Sequence, residues 1–187
     1  MSPRFDRDSP ARFVVVFLAL FAIFYYFNIY FFGITIPGNH YNAFLDGNLN
    51  YIRLLRHGLL QSSAYIIGWF GFTTITNDYQ LLVAGKGVIK LVYSCLGLGV
   101  MSFFSAFVIA YPTTIRSKLI FLFFGNLCIQ LLNVVRFVLL AIFWHKQSKM
   151  ILDHHTVFNI AIYTIIAISL YFWVRNGEKR TPENEEN

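Results

Sequence analysis

Residues 13–32 read FVVVFLALFAIFYYFNIYFF, without one charged side chain. About 20 apolar residues in a helix are enough to cross about 30 Å of hydrocarbon. Residues 95–112, 118–143 and 156–174 are similarly apolar. Only 13% of the 187 residues are charged and 57% are hydrophobic, too little charge to cover the surface of a soluble domain. The charges also fall in short blocks between the apolar runs, which is the pattern of a polytopic membrane protein.

Those blocks suggest an orientation. Arg4, Arg7 and Arg12 precede the first run, Arg116 and Lys118 separate the second from the third, and Arg175, Lys179 and Arg180 follow the last. The positive-inside rule assigns all three blocks to the cytoplasm. Residues 33–94 then begin and end outside, and so does WHKQSKMILDHH before the last run. A signal peptide would have a shorter apolar region and a small-residue cleavage site. Here Tyr25, Tyr26, Phe27, Tyr30, Phe31 and Phe32 form an aromatic belt, so a retained anchor is expected.

The outer segment holds LNYIRLLRHGLLQSSAYIIGWFGF, whose first half is made amphipathic by Arg53, Arg56 and His57. A further span there would invert everything after it, so an interfacial or re-entrant helix is expected. In YQLLVAGKGVIKLVYS, two aliphatic runs flank Gly85-Lys86-Gly87, which predicts a β-hairpin ending beside Cys95. The expected fold is an all-α integral membrane protein. It has about four transmembrane helices, an outer interfacial or re-entrant helix, and a short β-hairpin before Cys95. The chain reads as a single membrane domain over 1–187. Residues 1–12 are a cytoplasmic N-terminus, 13–32 the first span and 33–94 the outer segment. The further spans are 95–112, 118–143 and 156–174, and 175–187 is a polar cytoplasmic tail. The net charge of +6 reads as a topology signal, with no nucleic-acid footprint.

Polar residues inside spans are costly and mark function. Asn126, Gln130, Asn133 and Arg136 recur at steps of four, three and three, making one polar stripe on a helix. Arg136 lies about 25 Å along that helix from Leu119, near the depth expected for Cys95. Arginine stays charged and can bind a carboxylate or a developing oxyanion; alternatively it snorkels and anchors the helix. Asp153, His154 and His155 stand at the outer entrance of the last run. Histidine can exchange protons near neutral pH, while Asp153 could simply cap the helix. Cys95 follows Lys90 by five residues, and a nearby cation favours a thiolate. Cys128, deep in an apolar run, reads as packing. No phosphate-binding loop, dinucleotide fingerprint or zinc-protease helix is present.

A cysteine at the outer start of one span, an arginine near the outer end of the next, and a histidine at the outer start of the third resemble the exosortase/archaeosortase family. YSCLGLG places Gly97 where that family has glycine, and Leu96 where serine is common. NVVR, Asn133 to Arg136, is similar to its Asn-x-x-Arg motif. HTVFN gives His155, Phe158 and Asn159, with Asn159 where glycine is more usual; His155 maps better than His154. The resemblance covers about residues 81–174.

It implies a membrane-embedded cysteine transpeptidase of a prokaryotic inner membrane, with its site facing the outer, periplasmic side. Cys95 would be the nucleophile, Arg136 the oxyanion stabiliser and His155 the proton carrier. Asn133, Gln130, Asn126, His154 and Asp153 would support them. Substrates would be exported proteins ending in a sorting motif, a transmembrane helix and a basic cluster. The partners are these proteins, the lipid bilayer and an acceptor nucleophile of unknown identity; no metal or other cofactor is expected. Two other readings stay open. One is a non-enzymatic component of envelope polysaccharide or lipid export, and the other is a membrane hydrolase using the histidines with a metal.

Overall fold

A computed structural model describes residues 10–36, 41–143 and 154–180, apart from the side chains of 143, 154–157 and 177–180. Helix α1 (Pro10–Thr35) is followed by a short α2 (Ala43–Asn48) and by α3 (Tyr51–Trp69). Three strands come next: β1 (Thr74–Thr76), β2 (Gln80–Val83) and β3 (Gly87–Lys90). A single 3-10 turn, Tyr93–Cys95, leads into α4 (Leu98–Ala110), α5 (Ile115–Phe143) and α6 (His154–Arg180). Among the described residues, three helical segments are long and apolar enough to cross a membrane: Pro10–Thr35, Ile115–Ile142 and Phe158–Asn176. Helix α4 is apolar too but has only 13 residues, about 20 Å of helix. It is shorter than the 95–112 run suggests because Gly97, at φ +73°, breaks the backbone before it.

The helices alternate in direction. Phe13, Phe17 and Phe21 of α1 meet the rings of Phe107 and Phe103 of α4 edge-on, with Phe13 to Phe107 at 5.2 Å and Phe17 to Phe103 at 5.3 Å. A spacing of four on both helices keeps these rings on facing ridges. Each such pair adds about 0.5–1.5 kcal/mol beyond its area burial. Helices α4 and α5 are also antiparallel. Phe104 lies over Gly125, where a Cβ would collide with its ring, and Asn126 donates to Ser105 Oγ at 3.3 Å. Helix α6 returns along α5, with Phe121 stacked on Trp173 at 4.7 Å and the indole N–H of Trp173 on Ser117 Oγ at 3.2 Å. A second cluster of buried side chains, including Phe104, Val108, Ile129, Ile162 and Leu170, fills the space among α4, α5 and α6.

The segment between α1 and α4 gathers at one end of this bundle. The side chain of Asn42 caps α2 by accepting from the N–H of Phe44 and Leu45, and Asn50 caps α3 by accepting from the N–H of Arg53 at 2.8 Å. One face of α3 is buried, carrying Ile52, Arg56, Leu59, Leu60, Ser63 and Ile67, while Leu54, Tyr65 and Trp69 are exposed. That face joins a core with Val134, Phe137, Val138 and Ala141 of α5. The sheet is antiparallel in the order β1-β2-β3. Gly85, at φ +76°, makes the turn from β2 to β3, closed by Lys86 N–H to the carbonyl of Val83 at 3.0 Å. Leu81, Val83, Leu91 and Cys95 belong to the same core, so the sheet, α3 and the 3-10 turn share one interior.

Candidate functional site

Cys95 ends the 3-10 turn, where its N–H bonds the carbonyl of Val92 at 2.9 Å. Its side chain is 2% exposed, packed in the core shared by α3, the sheet and α5. Both cysteines are free, and Cys128 faces outward on α5 rather than packing inside. Lys90, the nearby cation of the sequence, closes β3 with an exposed side chain.

Gly97 separates this turn from α4. Its Cα lies against the carboxamide of Asn133, so close that a Cβ on residue 97 would overlap the amide nitrogen. Two features therefore require glycine here: the left-handed φ and the close approach. Asn133 is 1% exposed and donates to Gln130 Oε1 at 3.4 Å, and Gln130 Nε2 donates to the carbonyl of Leu96 at 3.3 Å. The chain just after the cysteine is thus held by two amides from one face of α5.

Arg136 follows Asn133 by one helical turn and is 3% exposed. Gly97 beside Asn133 and Ser105 beside Asn126 define an antiparallel register between α4 and α5. Cys95 shares a buried core with Val134, Phe137 and Val138, the α5 residues on either side of Arg136 in the sequence. Arg136 Nη1 donates to Asn159 Oδ1 of α6 at 3.3 Å. The backbone of His155 lies one turn before Asn159, in the first turn of α6. The side chains of His154 and His155, and all of Asp153, fall outside the described residues. The cysteine turn, the arginine and the start of α6 therefore sit at the same end of the bundle. Burying a guanidinium is costly unless polar groups meet it, and Asn159 supplies one.

The remainder of the polar stripe lines the flanks of α4. Asn126 donates to Ser105 Oγ and to the carbonyl of Leu122, and a separate chain of hydroxyls and amides runs from α3 through α1 to α4. Tyr51 donates to Asn28 Oδ1 at 2.6 Å, Asn28 Nδ2 donates to Ser102 Oγ at 3.0 Å, and Ser102 donates to the carbonyl of Leu98 at 2.8 Å. A hollow of about 440 Å³ opens there among α1, α3, α4 and α5, with Asn28, Tyr51, Ser102, Ser105 and Asn126 in its wall. Another, of about 610 Å³, lies at the start of α3 against Asp46, Asn50, Arg53, His57 and Asp78, and does not include Cys95. Beside it, Asp46 is held below the ordinary carboxylate range by hydrogen bonds from Asn50 and Tyr41. Burial pushes the Tyr51 phenol up to about 12.

Sequence patterning did not single out Arg56 beyond its part in amphipathicity. It is 6% exposed, with its guanidinium 3.9 Å from the centre of the Tyr79 ring. The signal available was a charge on the apolar side of an otherwise regular stripe, since Arg56 falls between Ile52 and Leu60 at steps of four. Among the described residues, no three His, Cys, Asp or Glu side chains come together as a metal-binding group.

No protein-family model, curated protein or solved structure matches this chain. The class it defines is a predominantly helical protein with, among the described residues, three helices long and apolar enough to cross a membrane.

Proposed function

We propose that this chain is a membrane-embedded cysteine transpeptidase of the exosortase/archaeosortase kind. It would cleave C-terminal sorting signals of exported proteins at the outer face of a prokaryotic inner membrane. The observation that carries this reading is the seating of Asn133 on Gly97. It joins two of the three motif segments on which the family resemblance rests, and Arg136 follows Asn133 by one turn of α5. In this reading α1, α5 and α6 are full spans, the roughly 20 Å of α4 together with the 3-10 turn before it makes the remaining crossing, and α3 lies at the outer boundary. The basic residues Arg116, Lys118 and Arg175 then share the cytoplasmic end, as the positive-inside rule asks.

The chemistry follows from the side chains. The Cys95 sulfur, as thiolate, attacks the scissile carbonyl and forms a carbon–sulfur bond. Negative charge grows on the carbonyl oxygen, and Arg136 meets it with a fixed positive charge in a low-dielectric site. His155 gives a proton to the leaving amine, the carbon–nitrogen bond breaks, and an acyl-enzyme remains. An acceptor amine or hydroxyl then takes the acyl group, losing its proton to His155 and freeing the thiolate. Confinement of the substrate's anchor to the bilayer raises its effective concentration at the site. Because Cys95 is buried, substrate binding must open the packing around the 3-10 turn.

Processing of an exported reporter that ends in a sorting motif, an apolar helix and a basic cluster tests this. Cys95→Ala is expected to abolish processing with insertion intact, and Cys128→Ser to leave it nearly unchanged. Full processing by Cys95→Ala would overturn the proposal. The 2% exposure of Cys95 favours a second reading, a non-enzymatic envelope-export component in which the thiol only packs. There Cys95→Ala would be silent while Arg136→Ala would not.

A further inference from the structure

The sheet ends on an open side. Strand β3 pairs with β2, and among the described residues no strand covers its other edge. The register decides which backbone groups face that edge. Leu91 N–H bonds the carbonyl of Tyr79 at 2.9 Å, and Leu81 stands opposite Ile89 and Val83 opposite Gly87. Hydrogen-bonded pairs alternate along an antiparallel ladder, so Gly87, Ile89 and Leu91 turn their N–H and C=O toward β2. Val88 and Lys90 turn theirs away. Val92 is extended, at φ −92° and ψ 164°, and continues the same alternation. Its carbonyl is taken by Cys95 N–H, which leaves its own N–H on the open side. The open edge thus runs from Val88 to Val92 and stops three residues before Cys95. It spans about 13 Å, enough for four or five residues of an extended partner. The edge is also accessible, since the side chains of Val88 and Lys90 are exposed.

We infer that the outer edge of β3, at Val88, Lys90 and Val92, binds the extended peptide segment of the substrate as a fourth strand and leads its scissile bond to Cys95. This rests on the transpeptidase reading above and adds the mode of substrate capture. An unpaired edge at the end of an apolar bundle exposes donors and acceptors that a peptide main chain satisfies in register. An extended segment upstream of the substrate's anchor helix offers an unpaired main chain to that edge. Continuity from β3 through Leu91 and Val92 into the cysteine turn points to that peptide rather than to a second copy of this chain. Recognition through the main chain also tolerates varied side chains along the segment.

The test uses the full-length protein in the membrane with the same tripartite reporter, and measures acyl-enzyme on Cys95 at limiting reporter. Proline at 88 or 90 removes an outward N–H without touching the β2 ladder, and edge strands tolerate proline. Val88→Pro and Lys90→Pro are each expected to lower the yield about three- to tenfold, and the double variant by about the product. Val88→Ala and Lys90→Ala, which keep the main chain, are expected to change it less than twofold. Unchanged yield in both proline variants, with acyl-enzyme formed normally, would overturn strand addition and leave the transpeptidase reading standing. No acyl-enzyme even in the unsubstituted protein would overturn both. If the proline variants misfold, a synthetic reporter peptide N-methylated at successive residues gives the same test on the unsubstituted protein. Losses at every second residue support strand addition, and losses without that alternation contradict it. A proline variant that changes the protein's oligomeric state while keeping acylation would assign the edge to a second copy instead.

Discussion

The carboxamide of Asn133 rests directly on the Cα of Gly97, in the gap where any other residue would carry a Cβ. This contact sets the spacing between the cysteine turn and α5. Gly97→Ala therefore meets two penalties. A left-handed alanine costs roughly 1–2 kcal/mol, and overlap with the amide adds roughly another 1–3 kcal/mol. The steric part depends on Asn133, so Asn133→Ala in the same chain is expected to restore part of the stability lost. Thermal unfolding of the four chains of this double-mutant cycle in detergent checks it. Purely additive effects would mean that the two residues do not press on each other.

Arg136 tests the electrostatic part of the account. Its guanidinium is buried and reaches Asn159 on α6. A lysine has the charge but not the planar fork, so it cannot hold Asn159 and meet a developing oxyanion in the same geometry. Arg136→Lys is expected to lower kcat by about 10²–10³ with a smaller change in KM. Asn159→Ala should cost less, because it orients the guanidinium without touching substrate. Single-turnover processing rates for the three proteins give the comparison, and an Arg136→Lys enzyme of normal kcat would contradict the oxyanion role.

At the start of α3, pH should act through Asp46. Hydrogen bonds from Asn50 and Tyr41 lower its folded pKa. A depressed carboxyl stabilises the fold above its unfolded pKa, and that contribution is lost as pH falls through the lower folded value. Local protection of the α2–α3 junction is therefore expected to be level near neutrality and to fall below about pH 4. Amide exchange at Leu49 and Arg53 across that range reads it out, and Asp46→Asn should flatten the acid limb.

Much of this arrangement was present in the sequence as periodicity. The apolar runs mark the long helices because nothing but lipid or a core can cover them. The steps of four, three and three from Asn126 to Arg136 place four polar groups on one side of α5 wherever that helix packs. Periodicity says which residues share a face and not what faces them. The seat of Asn133 on Gly97, the ring of Phe104 on Gly125 and the Arg56 guanidinium over Tyr79 all join residues at least 20 positions apart. None of the three has a local signature. The burial of Cys95 was equally hidden, since a cysteine beside a span looks the same whether its thiol meets water or an apolar core. Strand β1 has no sequence signature because TIT is too short to show alternation, and it exists only by pairing with β2.

The central claim is that Cys95 carries the acyl group. Its most direct measurement is intact-protein mass spectrometry of the Cys128→Ser protein, quenched in acid during turnover of the tripartite reporter. The account predicts an added mass equal to the reporter upstream of the cleavage point, removed by neutral hydroxylamine and absent from the Cys95→Ala protein. Cleaved reporter accumulating without such an adduct, and at the same rate in the Cys95→Ala protein, would contradict it.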